Sequence, residues 1–123
     1  MDDDLHDHDG AYTIVNCDHY DVAILTGCGG LPSLDLFDDN VDVEVRFKDG
    51  RFYAATFFTV ENLKSLFAKF RHTGEFNSGL YFSCPDMVMV ETFSAQNILE
   101  TVASLVKADR LGIVFKLHIQ DED

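Results

Sequence analysis

Val41, Val43, Val45 and Phe47 alternate with Asp42, Glu44, Arg46 and Lys48. A period of two places the apolar set on one face of a strand and the charged set on the other. Asp49-Gly50 follows, and that dipeptide tolerates the backbone angles of a two-residue hairpin turn. Arg51 to Phe58 then reads as the returning strand. With Asp49 and Gly50 as turn centres, Lys48 faces Arg51, Phe47 faces Phe52, Val45 faces Ala54 and Val41 faces Phe58. The second face pairs Arg46 with Tyr53, Glu44 with Ala55 and Asp42 with Phe57. Thr59 can cap a helix through its hydroxyl. Phe58 and Leu63 sit at hydrophobic-staple positions around that cap. Leu63, Leu66, Phe67 and Phe70 recur at helical spacing. Lys69, Arg71 and His72 suit the negative end of the helix dipole, and Gly74 is a stop signal.

A degenerate copy of this unit follows at an offset of 35 residues. Phe47 maps to Phe82, Phe58 to Phe93, Thr59 to Ser94, Asn62 to Asn97, Leu63 to Ile98 and Phe70 to Leu105. Pro85-Asp86 takes the place of the turn, within a second expected hairpin over Leu80 to Thr92. The second helix uses Ile98, Val102, Leu105 and Val106. The expected fold is α+β: an antiparallel sheet built from two β-hairpin-helix units, with both helices packed on one face. Shorter strands are expected at Ala11 to Val15, Tyr20 to Thr26 and Ile113 to His118. Residues 1–10 read as a disordered acidic tail, residues 11–118 as a single α+β domain, and residues 119–123 as a short acidic tail.

A chain of 123 residues, 46% of them hydrophobic and eleven of them Phe, can bury a core without metal or disulfide staples. Its net charge of −13 is unevenly placed. Residues 1–45 hold eleven Asp and one Glu but no Lys or Arg, whereas residues 46–116 carry a small net positive charge. Nucleic acid and anionic membranes need Lys and Arg to neutralise phosphate, so both are excluded as expected partners. A basic protein partner fits, with electrostatic steering of association. No apolar run approaches a membrane span. Cys17, Cys28 and Cys84 have no zinc-like spacing, which points to free thiols in the cytoplasm.

No catalytic set stands out. Asp and His in residues 1–10 are ligand types for a metal, but a solvated tail is the simpler reading, and no metal or other cofactor is expected. Gly27-Cys28-Gly29-Gly30 lacks the Gly-Lys-Ser/Thr ending of a phosphate loop. Cys28 has no nearby Lys or Arg to hold a thiolate, so a loop thiol is preferred to a nucleophile. Glu91 falls on the face expected to point inward. It is either a perturbed carboxylate or turned out by a bulge, and the second is preferred. The loop Leu31 to Asn40 carries Asp35, Asp38 and Asp39, next to Asp42 and Glu44 on the strand. On the hairpin register above, Tyr53 and Phe57 lie opposite the helices with Ala55, Tyr81, Val88 and Val90. That apolar face calls for a cover: the N-terminal segment, a second copy or another protein.

Two segments, ATFFTVENLKSLFAKF and RHTGEFNSGLYFSCPDMVMV, resemble those of small bacterial immunity proteins of contact-dependent and polymorphic toxin systems. The resemblance spans roughly Arg51 to Thr92 and rests on structural positions. It implies a small acidic cytosolic domain that covers a basic toxin, such as a nuclease. The expected function is therefore non-catalytic: direct inhibition of a cationic toxin domain. Asp35, Asp38, Asp39, Asp42 and Glu44 would form the contact, with Tyr53 and Phe57 as aromatic anchors. A small dimeric ligand-binding or regulatory domain is the alternative. An enzyme using Cys28 or Glu91 with a histidine is the third reading.

Overall fold

The computed structural model describes residues 5–9, 12–27, 29–34 and 37–119. Among the described residues, seven strands form one sheet: β1 (Leu5–Asp9), β2 (Tyr12–Asn16), β3 (Tyr20–Leu25), β4 (Asn40–Phe47), β5 (Arg51–Thr59), β6 (Met87–Val90) and β7 (Lys116–Ile119). The helical segments are α1 (Val60–Thr73), α2 (Glu75–Gly79), α3 (Ala95–Lys107) and α4 (Leu111–Val114). The class is α+β, as the patterning implies. Strands β1 to β5 run as an antiparallel meander. The expected tail therefore loses Leu5–Asp9 to an edge strand paired with β2. Cys28, Asp35, Leu36 and residues 120–123 lie outside the described residues.

The β4–β5 hairpin differs from expectation by one residue. Its loop is Lys48-Asp49-Gly50, with only Gly50 in the left-handed region at φ 95°. The Gly50 N–H donates to the Phe47 carbonyl at 3.2 Å. Asp49 accepts the Arg51 N–H at 3.0 Å. A three-residue loop closed by a left-handed glycine shifts the pairing by one relative to a two-residue turn. Val41 now faces Phe57, Val43 faces Ala55, Val45 faces Tyr53 and Asp42 faces Thr56. Because side chains alternate, this slip moves every residue of β5 to the other face. Phe57, Ala55 and Tyr53 join the apolar side of β4, and Phe52, Ala54, Thr56 and Phe58 join its charged side.

The second expected hairpin does not form. Residues 81–86 make no strand, and β6 pairs with β5 in parallel, Phe57 beside Val88. Phe82 is instead drawn into an aromatic cluster, 5.5 Å from Phe58, 5.9 Å from Phe70 and 5.1 Å from Phe76 between ring centres. Phe76, Asn77, Ser78 and Gly79 all have φ between 52° and 80°, a left-handed turn that brings the chain back beneath α1. A Cβ on Gly79 would stand 2.9 Å from the Phe67 carbonyl, so only glycine fits there. The link from β5 through α1 to β6 is thus a crossover of the kind that parallel pairing requires. Ile113 and Val114, expected within the last strand, belong instead to the short helix α4, and β7 begins at Lys116.

The two long helices also serve different layers. Ile98 and Val102 of α3, with Leu111 and Phe115, pack on Val22, Ile24, Val41, Val43, Val45, Ala55 and Phe57. Phe70 of α1 instead meets Phe76 and Phe82, and Phe82 meets Phe58 on the other side of β5. Tyr53, Ala55 and Phe57 are therefore on the face that α3 and α4 cover. The bare apolar face expected from the two-residue turn is absent among the described residues.

Both expected caps form. Ser94 accepts the Asn97 N–H at 3.0 Å. Thr59 accepts the Asn62 N–H at 3.1 Å and the Asp39 N–H at 3.2 Å. Its own N–H donates to the Asp39 carbonyl at 3.1 Å. One fully buried hydroxyl thus joins the end of β5, the start of α1 and the loop before β4. Replacing Thr59 with Val keeps the shape but orphans two N–H groups. Urea unfolding should show a loss of about 2–3 kcal/mol for Thr59→Val, against about 1 kcal/mol for Ser94→Ala at the exposed cap.

Candidate functional site

The charged side of β4 is the back of the sheet. Asp42, Glu44 and Arg46 project there beside Thr56, Ala54 and Phe52 of β5. Each carboxylate is held. Thr56 donates its hydroxyl to Asp42 at 2.8 Å. Glu44 accepts from Arg46 at 2.9 Å and from the Tyr12 hydroxyl at 3.1 Å. The Arg46 guanidinium lies 4.9 Å over the Tyr12 ring. These bonds fix side chains that would otherwise sample several rotamers, so less order has to be imposed when a partner binds.

At the upper end of β4 the loop is tied to α1. Asp38 accepts from the Asn62 amide at 3.0 Å and from the Ser65 hydroxyl at 2.8 Å. Those two hydrogen bonds hold its carboxyl below the ordinary range. Asn40 donates to Asn62 at 2.9 Å. Asp39 binds Thr59 through its backbone, and its carboxylate accepts the Asn40 N–H at 2.9 Å.

Of the residues singled out from the sequence, Asp38, Asp42 and Glu44 are brought onto the α1 side of the sheet, with Asp39 at the joint between them. Phe57 is fully buried, 5.9 Å from Phe115, and has no surface to offer as an anchor. Tyr53 lies on the same, opposite face, half-buried 5.7 Å from Phe47. Its aromatic role is internal packing. The one-residue register shift accounts for both corrections. Glu91 stands exposed just beyond the end of β6 and is not buried as a perturbed carboxylate would be.

A hollow of about 220 Å³ opens on the back of the sheet, centred on Ala54. Glu44, Ala54 and Lys116 form one row across β4, β5 and β7. Asp42 and Thr56 form the next row, with Asp86 at its far end, where the Asp86 carbonyl accepts the Thr56 N–H at 3.0 Å. His118 stacks on Phe52, 4.9 Å between ring centres and 9° from parallel. Sequence reasoning missed Tyr12, Thr56, Asp86, Lys116 and His118. The alternation along β4 marked the charged face, but neighbours across β5 depend on its phase and on which strand takes its far edge.

Among the described residues no group of three or more His, Cys, Asp or Glu is placed to hold a metal. No described helix is long and apolar enough to cross a membrane. No protein-family model, curated protein or solved structure matches the chain.

Burial and then the Glu44 carboxylate raise the pKa of Tyr12 above the ordinary phenol value. A raised acid favours its neutral form in the folded state. The stability this contributes is complete below the unfolded pKa near 10 and is lost as pH rises through the folded value. Glu44→Gln should therefore lower the Tyr12 midpoint toward the ordinary range in an ultraviolet titration and weaken the alkaline loss of stability. At the acid end the sign reverses. Asp38, its pKa lowered from 3.8, supports the fold above that value and loses the contribution as pH falls. Asp38→Asn should flatten the acid limb of a stability-against-pH curve.

Proposed function

We propose that this chain is a non-catalytic binding protein of the immunity type, which acts in the cytoplasm by covering a basic toxin domain. The observation that carries this reading is the set of carboxylates, Asp38, Asp42 and Glu44, held by hydrogen bonds on the side of the sheet away from the α3 core. Pre-positioned carboxylates meet guanidinium and ammonium groups with little ordering cost. The acidic first third of the sequence adds a field that steers a cationic partner.

The contact differs in character from the one expected from sequence. Phe57 is withdrawn into the core and Tyr53 is packed below it, so the anchor set is polar. The apolar face that had suggested a homodimer is the one covered by α3 and α4. Hot spots in such an interface are charged side chains in desolvated surroundings, and association is salt-sensitive.

The test is recovery of a partner. A tagged chain expressed in its own host should retain a stoichiometric basic protein that is released as salt rises. The triple variant Asp38→Lys, Asp42→Lys, Glu44→Lys should lose that protein while keeping its circular dichroism. Retention by the triple variant would move the contact elsewhere. Absence of any basic partner would overturn the inhibitor reading.

A further inference from the structure

The hollow on the back of the sheet has an unusual distribution of charge. Its β4 side carries Asp42 and Glu44, and its β7 side carries Lys116 and His118. Ala54 lies between them, a side chain too short to fill the space. Glu44 and Lys116 are two strand spacings apart, about 10 Å at the backbone. Among the described residues Lys116 forms no ion pair; Glu44 is paired with Arg46 instead. Opposite charges in one row are thus held apart over a small apolar floor.

We infer that this hollow is a binding site for a small zwitterion, a molecule with an ammonium and a carboxylate on a short carbon frame. The ammonium would sit toward Asp42 and Glu44, each of which keeps acceptor capacity beyond the bonds it already makes. The carboxylate would sit toward the Lys116 ammonium, with His118 held flat on Phe52 at the same end. The Thr56 hydroxyl, oriented by its bond to Asp42, stands at the centre of the far row. The carbon frame would cover Ala54. A lone anion would meet the Asp42 and Glu44 carboxylates across the hollow, and a lone cation would leave the Lys116 ammonium unanswered. A zwitterion satisfies both ends, which is why the site selects for paired charge. The site stands independently of whether this face also docks a protein.

The probes are glycine, β-alanine and γ-aminobutyrate, which step the distance between the two charges. Methylammonium chloride and sodium acetate supply each charge alone. Titrations of the full ¹⁵N-labelled chain should show saturable shifts of the Ala54, Thr56 and Lys116 amides with at least one zwitterion. Methylammonium and acetate should produce no saturable change at those amides. Lys116→Met lies on an exposed position and should weaken binding about tenfold, and Glu44→Gln similarly, each a loss of about 1.4 kcal/mol. Should Glu44→Gln disturb the fold, as its amide spectrum would reveal, Lys116→Met decides alone. The inference is overturned if no zwitterion saturates, if acetate or methylammonium binds equally well, or if Lys116→Met binds as the parent does.

Discussion

Strand β5 makes more demands on its neighbours than any other element. Phe52 to Phe58 pair with β4 along one edge, while the other edge is divided between β7 over Arg51 to Ala54 and β6 over Thr56 to Thr59. Both of its faces are also covered in part, by α3 through Phe57 and by the aromatic cluster through Phe58. A strand placed this way must have one phase and one only. The phase is set by Gly50, whose left-handed backbone makes the hairpin loop three residues long. A two-residue loop would send Phe57 to the charged side of β4 and Thr56 into the core, with a buried hydroxyl in place of a phenyl ring.

From that phase the two layers follow. The face bearing Val41, Val43 and Val45 gains Phe57 and Ala55 and becomes the floor on which Ile98 and Val102 rest. The other face gains Ala54 and Thr56, small and polar, next to Asp42 and Glu44. Phe58, at the end of that face, meets Phe82, which in turn meets Phe70 of α1. The core and the candidate site are therefore alternate residues of the same two strands, and neither can be altered in register without the other.

Much of this was legible along the chain and less of it across the chain. The alternation of β4, both helix caps, the left-handed stop at Gly74, the strands near residues 12–16 and 20–25, and the α+β class are all local signals. The hairpin phase was not legible, because Asp-Gly serves two loop lengths that differ only in whether Asp49 also adopts positive φ. The second hairpin failed for a tertiary reason: Phe82, which mapped onto a strand position, finds three aromatic rings nearer to hand. Of the site, Asp38, Asp42 and Glu44 could be read from the loop and the strand. Lys116 and His118 could not, since nothing near residue 116 announces that it lies beside residue 54.

The divided edge of β5 has a consequence for biogenesis. Residues 51–54 wait for a partner that is encoded more than sixty positions later, with a crossover, a parallel strand and two helices made in between. Until residues 116–119 have been made, residues 51–54 have no β7 to pair with, and any β4–β5 hairpin formed by then leaves that edge with unpaired amides. Such an edge is a template for intermolecular pairing. Arg51 at its mouth, salt-bridged to Asp49 at 2.9 Å, places charge at the point where a second nascent chain would have to approach. The loop that sets the phase of the mature sheet thus also stands guard over it while it is incomplete.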